Sequence, residues 1–234
     1  MASVFQDATN GLNPVRSIGW QIAEAMRLRR GATRAEAKRE AVRLLGRVGL
    51  PEPEKRAREF PHQFSGGMNQ RAMIALAIAG RPKLLIADEA TTALDVTIQA
   101  QILDLIADLQ AELGMGVIFV THDLGVIAQT ADRVAVMYAG RVVETATVRD
   151  LFAAPRHPYT HGLLGALPRI DRDAGALSVI EGVVPALDAM PAGCAFALRC
   201  PRARAACAAA VPPLLNDGAR SVACIDPYPE RRAA

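Results

Sequence analysis

The chain has 234 residues, 51% of them hydrophobic and 22% charged, which suits one sizeable core and argues against disorder. Its net charge of +3 is spread along the chain without a basic block, so a nucleic-acid partner is not indicated. The N-terminus lacks a signal-peptide pattern, and the longest uncharged apolar stretch near the centre, Ala72–Gly80, is far short of the ~20 residues of a membrane span. We therefore expect any membrane association to be through a partner.

Helical patterns fill the first 80 residues. Apolar residues recur at helical spacing over Ser17–Arg30. Thr33 and Glu36 form a capping-box pattern that predicts a second helix, running to Val48 and ending at Gly49. The alanine-rich segment Gly66–Ala79 is apolar on all sides, which predicts a third helix buried on most faces.

The pattern changes after residue 82. Lys83–Ala87 and Gly116–Val120 are short and wholly apolar, as strands inside a parallel sheet are. Between them, Val96–Leu113 has one apolar face and ends before Gly114, which predicts a helix. Strand, helix and strand together predict a right-handed crossover.

The last third is less regular. Arg133–Tyr138 and Arg141–Glu144, around an Ala139-Gly140 turn, are expected to complete the core as strands. Beyond Pro155 the chain is dotted with prolines, and we interpret 151–234 as an accessory extension with a linker at Ile170–Gly175.

The tetrapeptide Ser65-Gly66-Gly67-Met68 has the composition of a phosphate-binding turn. Two glycines let the backbone approach a ligand closely, and the helix that follows directs free N–H groups and its positive dipole end at that ligand. Ser65 adds a hydroxyl donor. The alternative is a Ser-Gly-Gly turn that only caps a buried helix.

Two acids, Asp88 and Glu89, follow the first predicted strand. Phosphoryl transfer needs a carboxylate to hold Mg²⁺ and a group that orients or deprotonates the attacking water. The alternative is a pair of acids that merely solvates a strand end.

The two strings that contain these residues, FSGGMNQR at 64–71 and LLIADEATTALD at 84–95, resemble the ATP-binding subunits of ABC transporters, in particular the di- and oligopeptide importers. The resemblance implies ATP and Mg²⁺. It implies that Ser65, Gly66, Gly67 and Met68 contact the γ-phosphate of ATP held by the opposite subunit of a head-to-tail dimer. Asp88 would bind Mg²⁺ and Glu89 would be the general base; position 90 is Ala where the family usually has Pro.

The same resemblance assigns three further residues. Gln6, in VFQD, matches the Q-loop glutamine that meets Mg²⁺ and water. Asp95, in Ala93-Leu94-Asp95, matches the D-loop at the dimer interface, and it is also a candidate helix N-cap. His122, in VTHD, matches the histidine that senses the γ-phosphate, although a lone histidine is usually just a polar surface residue.

Members of this family carry a GxxxxGK[ST] phosphate-binding loop upstream of both motifs. The three lysines here, Lys38, Lys55 and Lys83, do not follow a glycine, so that loop is not among the 234 residues. This loop is the Walker A motif. We therefore expect a subunit that lacks its Walker A portion and that hydrolyses little or no ATP alone.

Four cysteines, Cys194, Cys200, Cys207 and Cys224, lie in the last 41 residues, spaced C-x5-C-x6-C-x16-C. Four thiolates in one loop-rich segment suit a soft-metal centre, either Zn²⁺ or an iron–sulfur cluster, and free cysteines remain the alternative. Spacing does not choose between the metals. GCAFALRC at 193–200 resembles the start of the [4Fe–4S] site of some peptide-importer ATPases, which favours iron.

The predicted fold is therefore α/β, the C-terminal part of an ABC-type P-loop NTPase domain with a small cysteine-containing extension. We predict a Q-loop remnant at 1–11 and a helical subdomain at 12–82, which contains the signature motif at residues 65–68. A core at 83–150 would hold the Walker B acids Asp88 and Glu89, the D-loop and the histidine loop, and the extension would follow at 151–234.

The resemblance implies a peripheral protein at the cytoplasmic face of a bacterial membrane. Its partners would be transmembrane permease subunits, a second ATP-binding subunit and, indirectly, a solute-binding protein. Two other functions stay open: a non-catalytic half that supplies its signature residues in trans, and an iron–sulfur or zinc module.

Overall fold

The computed structural model describes residues 1–91, 94–167 and 179–229. The chain divides into two units, Met1–Val126 and Ile127–Ala234, within the helix Leu124–Thr130. The predicted linker Ile170–Gly175 and Ala93 of the predicted D-loop lie outside the described residues. The four functional segments stay a prediction.

A parallel three-stranded sheet lies in the N-terminal unit. Its strands are β1 (Ala2–Val4), β2 (Leu84–Asp88) and β3 (Gly116–Val120), in the order β1-β2-β3. Val4 pairs with Ala87, and Asp88 pairs with Val120, so all three strands end at one edge. β1 is too short to be visible in the sequence pattern, and it forms because β2 offers it a partner.

Helices make up the rest of this unit. The predicted helices are found with ends shifted by at most two residues, and the predicted Val96–Leu113 helix and Gly116–Val120 strand are found at those residues. Four short helices were not predicted. In chain order the helices are α1 (Ala8–Gly11), α2 (Ile18–Arg30), α3 (Arg34–Arg47), α4 (Pro53–Arg56), the 3₁₀ turn Pro61–Gln63, α5 (Gly66–Ile78), α6 (Val96–Leu113) and α7 (Leu124–Thr130).

Local signals in the sequence explain two of these helices. The capping box of α3 is present in both directions, because Thr33 Oγ1 accepts the Glu36 N–H and Glu36 accepts the Thr33 N–H. The predicted burial of α5 is confirmed, and its buried residues include Asn69 and Gln70.

One hydrophobic core joins α2, α3, α5, α6 and β2. Its fully buried side chains include Ile18, Ile22, Met26, Leu45, Ile74, Leu85, Ile102, Ile106 and Leu109.

The C-terminal unit contains an antiparallel sheet in the order β4-β5-β7-β6. Its strands are β4 (Arg133–Tyr138), β5 (Arg141–Thr147), β6 (Leu215–Asp217) and β7 (Arg220–Val222). The two predicted strands are found, β4 at the predicted residues and β5 three residues longer, but they do not join the parallel sheet of β1, β2 and β3. β5 pairs with β7 near the end of the chain instead, a long-range contact that local sequence patterns do not encode.

The remaining elements of this unit are short. They are α8 (Val148–Ala153), α9 (Pro158–Gly165), α10 (Ala205–Ala209) and the 3₁₀ turns Leu187–Ala189 and Ala197–Arg199. The predicted Ala139-Gly140 turn is found, with φ of 46° and 77°, since a two-residue hairpin of this hand needs positive φ at both positions. Next to this turn, the rings of Tyr138, Tyr159 and Phe196 pack against one another with centroids 4.7–5.5 Å apart.

A buried carboxylate, Glu144 on β5, joins three parts of this unit. It is 1% exposed and accepts the backbone N–H groups of Arg156 and His157 at 2.9 and 2.8 Å. It also pairs with the Arg220 guanidinium of β7 at 3.3 Å. A buried charge needs such partners, so Glu144 fixes where β7 and the turn before α9 meet β5.

His157 begins α9 and is also fully buried. Its Nδ1 accepts the Tyr159 N–H at 3.0 Å, so this histidine of the predicted HPYT turn is a helix cap. Burial lowers the pKa of His157 to about 4, and the nearby Glu144 carboxylate offsets only part of that effect.

The buried His157 makes the stability of the C-terminal unit depend on pH. The folded state holds the ring neutral down to about pH 4, whereas the unfolded ring gains its proton below its ordinary pKa of 6.5. The free energy of unfolding should thus fall by about 3 kcal/mol as the pH drops from 6.5 to 4. His157→Asn keeps a cap acceptor without a titrating group and should remove this dependence.

The measurement is urea unfolding at several pH values followed by tyrosine absorbance, because all three tyrosines lie in this unit and the single tryptophan does not. His62→Asn, at an exposed position of the other unit, is the matched control. An unchanged pH dependence in His157→Asn would contradict the assignment.

Candidate functional site

The carboxyl edge of the parallel sheet gathers three of the predicted site residues. Asp88 is the last residue of β2, and the Glu89 N–H donates to the Val120 carbonyl of β3 at 2.8 Å. Two residues further on, His122 Nδ1 lies 3.2 Å from Glu89 Oε1. The sheet thus places two carboxylates and an imidazole at one exposed edge.

Glu89 has an unusual backbone conformation. Its φ is 46°, in the left-handed region that residues with a Cβ seldom adopt. The hydrogen bond from its N–H to Val120 holds this conformation. The turn directs the Glu89 side chain to His122, and the carboxylate remains 30% exposed.

Asp123 and Gln99 belong to the same edge and were not predicted as site residues. Asp123 Oδ1 accepts the N–H groups of Gly125 and Val126 at 2.8 and 3.3 Å, and its Oδ2 accepts the Gln99 side-chain amide of α6 at 3.2 Å. Burial alone would raise the pKa of Asp123, but these hydrogen bonds outweigh it and lower the pKa. An Asp directly before a helix was the signal in the sequence.

The signature residues lie at the start of α5. Ser65 is the N-cap, and its Oγ accepts the Met68 N–H at 3.4 Å. Among the described residues, no hydrogen bond joins residues 65–68 to Asp88 or Glu89. Residues 65–68 form the N-terminus of α5, a position whose free N–H groups and helix dipole favour an anion.

The two signature glycines have different surroundings. A Cβ at Gly66 would meet no described heavy atom within 4 Å, so this position is open. A Cβ at Gly67 would lie 3.1 Å from Ile98 Cγ2, so Gly67 allows α5 to approach α6 closely. Only Gly66 leaves space for a ligand.

Asp95 and Gln6 are the remaining predicted nucleotide-site residues. Asp95 is exposed and caps α6, because its Oδ1 accepts the Ile98 N–H at 2.9 Å. Gln6 is exposed and follows β1 by two residues, so it leaves the sheet at the edge where Asp88 lies.

The four cysteines all line one small cavity in the C-terminal unit. Cys194 and Cys207 are joined by a backbone hydrogen bond of 2.8 Å. Gly193 makes this approach possible, because a Cβ there would lie 2.2 Å from the Cys207 carbonyl oxygen. All four are free thiols, and within the described residues no three ligand-type side chains converge to hold a metal ion.

Two thiols of this cavity, those of Cys200 and Cys224, resist ionisation. Burial raises the pKa of Cys224 to about 11, and it raises the pKa of Cys200 as well. The neighbouring cysteines add to both shifts. The metal centre with Cys194, Cys200, Cys207 and Cys224 as ligands stays a prediction, because the four cysteines share a cavity but form no ligand set within the described residues.

Comparison with known proteins identifies the family. Residues 1–92 match the sequence model of the family described as "ABC transporter", and residues 143–207 match "Oligopeptide/dipeptide transporter, C-terminal region". A dipeptide transport ATP-binding protein of Haemophilus influenzae is 48% identical over 231 residues, covering 99% of this chain and 70% of that protein. This chain belongs to the peptide-import ABC transporter ATP-binding proteins.

Other relatives agree with this membership. A putative peptide import ATP-binding protein of Brucella melitensis is 57% identical over 219 residues, covering 91% of this chain. The chain spans about 65% of that protein's length. A solved dimeric structure of the ATP-binding cassette MJ0796 with ADP and Pi is 30% identical, with a TM-score of 0.55 over 63% of each chain.

The predicted α/β fold of an ABC ATPase is confirmed by the match to that cassette. The prediction that a Walker A portion is lacking is not confirmed, because the ABC transporter match begins at residue 1. Within the described residues of this ABC protein, no helix is both long and apolar enough to cross a membrane.

The strained turn at Glu89 gives a stability prediction. Glu89→Gly and Glu89→Ala both remove the carboxylate, but only glycine adopts a φ of 46° without strain. The glycine variant should therefore be about 1 kcal/mol more stable than the alanine variant. Urea unfolding followed by the single tryptophan, Trp20, measures the difference in the N-terminal unit.

The same pair of substitutions at Asp104, an exposed position inside α6, is the control. There the order should reverse, with alanine about 1 kcal/mol more stable than glycine. The same order at both positions would contradict strain at Glu89.

Proposed function

We propose that this chain is an ATP-binding and ATP-hydrolysing subunit of an importer for di- or oligopeptides, which energises transport by ATP-driven dimerisation. The contact between Glu89 and His122 at 3.2 Å, on the edge where Asp88 ends its strand, is the observation that carries the proposal. Phosphoryl transfer requires a carboxylate that holds Mg²⁺ and a base or orienting group for the attacking water, and this edge supplies side chains of these kinds.

We propose different catalytic roles for Glu89 and His122. Glu89 is proposed as the general base that accepts a proton from the attacking water. With its own proton on Nδ1, His122 donates to Glu89 Oε1 and holds the carboxylate in place. Its side chain is 69% exposed, so the ring can also meet a phosphate.

Asp88 and Gln6 fit a magnesium ion. Mg²⁺ takes one or two carboxylate or amide oxygens from the protein and keeps water and phosphate as its other ligands. Asp88 and Gln6 are exposed oxygen-bearing side chains at one edge of the sheet, which suits that donor set. The ion would neutralise charge on the transferred phosphoryl group.

The signature face supports an assembly with a second ATP-binding subunit. Ser65 and the open Gly66 lie at the N-terminus of α5, where an anion is favoured, and Asp95 caps the neighbouring helix α6. We propose that this site receives the γ-phosphate of ATP held by the partner in a head-to-tail dimer. ATP would then join the two subunits.

A permease partner is proposed for the helical part of the N-terminal unit. Val15 and Trp20 are large apolar side chains that are 75% and 44% exposed. Arg16 lies over the Trp20 ring at 4.7 Å, which holds the ring at the surface. We propose that this face docks on transmembrane subunits at the cytoplasmic side, and that a solute-binding protein takes part only through them.

The alternative is a half that acts only in trans. No GxxxxGK[ST] loop is among these 234 residues, so a P-loop supplied by other residues would hold the nucleotide. In this alternative the signature completes the partner's site, and Glu89 takes no part in hydrolysis.

We expect the 234-residue polypeptide alone to hydrolyse no ATP above background. The test mixes it with a P-loop-bearing peptide-import ATP-binding subunit whose own signature is disabled, and follows phosphate release. Hydrolysis should appear, and Gly66→Ala should lower it at least about tenfold, because the added Cβ occupies the phosphate approach.

Gly46→Ala is the matched control, since its Cβ would make only an ordinary 3.7 Å contact with Pro53 inside the unit. Equal loss in both variants would contradict the signature assignment. Glu89→Gln should leave this hydrolysis unchanged, because the ATP is held by the partner subunit. In a chain extended by a P-loop segment, loss of hydrolysis in Glu89→Gln would favour the hydrolysing subunit, whereas full activity would favour the trans-acting half.

A second candidate function is a metal-binding module, because all four cysteines line one cavity. Iron or zinc would be held by Cys194, Cys200, Cys207 and Cys224 after their thiols lose their protons. The ligand type permits both metals, and only the sequence resemblance favours a [4Fe–4S] cluster. A cluster would be structural or regulatory, since ATP hydrolysis needs no redox step.

Anaerobic purification followed by elemental analysis and visible absorption tests this module. We expect brown protein with about four irons per chain, as one [4Fe–4S] cluster requires. Cys194→Ser should lose the metal, and Ala206→Ser, which leaves every thiol in place, should retain it. Colourless protein without iron or zinc would exclude the module.

A further inference from the structure

The first turns of α6 contact both parts of the proposed site. Gln99 and Gln101 are two residues apart, so their side chains leave the helix about 200° apart, on nearly opposite sides. Gln101 is directed to the signature helix α5, and Gln99 is directed to the turn after β3. One rigid element therefore lies between the two halves.

On the signature side, Arg71 of α5 makes the connection. Its Nη2 donates to Gln101 Oε1 at 2.9 Å, and its Nη1 donates to the Val48 carbonyl after α3 at 2.6 Å. Gly67 packs directly on Ile98, whose N–H is capped by Asp95. These contacts connect the first turns of α5 directly to the first turns of α6.

On the histidine side, Gln99 makes the connection. Its amide donates to Asp123 Oδ2, while Asp123 Oδ1 holds the N–H groups of Gly125 and Val126. The Asp123 N–H in turn donates to Thr121 Oγ1 at 3.0 Å. His122 lies between Thr121 and Asp123 in the chain, so these hydrogen bonds fix its backbone. Its Nδ1 contacts Glu89 Oε1 at 3.2 Å.

We propose that Gln99 is a positioning residue that fixes His122 against Glu89, and that α6 transmits occupancy of the signature to this pair through Gln101 and Gln99. The second half of this proposal rests on the proposed function. The proposed path connects the signature to the Glu89–His122 pair through residues that contact one another or share a helix. In order, it runs through Arg71, Gln101, α6, Gln99, Asp123 and His122.

The geometry of the Gln99–Asp123 contact allows an exchange of donor and acceptor. Gln99→Glu has the same shape, but it loses the donor and sets a like charge against Asp123. Adding Asp123→Asn restores the bond in reverse, because its amide can donate to the new carboxylate while its oxygen still holds the Gly125 and Val126 N–H groups. Gln110→Glu, about three turns further along α6, is the matched control.

The first measurement uses the chain alone. Amide hydrogen exchange of residues 119–126 should be about tenfold faster in Gln99→Glu, because the turn around His122 opens more often. The double variant should return to the wild-type rate, and Gln110→Glu should not change it. Unchanged exchange in Gln99→Glu, or no rescue by the double variant, would overturn the positioning role.

The second measurement uses the chain assembled with the P-loop-bearing subunit, ATP and Mg²⁺. Residues 65–75 should become protected from exchange when the signature is occupied, and residues 119–126 should become protected with them. Gln101→Ala and Gln99→Glu should abolish only the second protection. Protection of residues 119–126 that survives in both variants would overturn the coupling.

Failure of the proposed nucleotide site and failure of the positioning role of Gln99 give different results. If residues 65–75 of the wild-type chain gain no protection, the composite nucleotide site proposed above is wrong. The exchange rates of the isolated chain then still decide whether Gln99 positions His122.

Discussion

Parallel pairing of β2 with β3 is the constraint on which the candidate site depends. Parallel strands end on the same side of a sheet, so the residues that follow β2 and β3 must meet. The last pair, Asp88 with Val120, is extended by the Glu89 N–H bond to Val120. A slip of one residue would turn Asp88 to the other face and separate Glu89 from His122.

The sequence predicts this half of the molecule well because its signals are local. Asp95 and Gly114 mark the two ends of α6, and both act as caps in the structure. The two acids were found because the end of β2 can be read from an apolar run, whereas His122 was assigned by the family resemblance. Gln99 and Asp123 were missed, since a polar residue on a helix surface usually only meets solvent, and only the fold shows that these two face each other.

The C-terminal unit was predicted less well, because its sheet depends on contacts between residues far apart in the chain. β6 and β7 have three residues each, too few for a periodic pattern, although the dipeptide Asp217-Gly218 at the end of β6 is a hairpin signal. Glu144 ties this sheet together through Arg220, 76 positions later. A buried Glu–Arg pair cannot be inferred from two charged residues in a sequence, where a solvated position is the ordinary expectation.

The two adjacent glycines of the signature, Gly66 and Gly67, lack a side chain for different structural reasons. Gly66 faces open space, whereas Gly67 faces the side chain of Ile98. A library of variants should therefore separate them by phenotype: changes at Gly67 lower the yield of folded protein, and truncating Ile98 compensates for them. Changes at Gly66 should leave the yield intact and should not be compensated from within the chain, because the phosphate that we propose they obstruct belongs to a nucleotide held by another subunit.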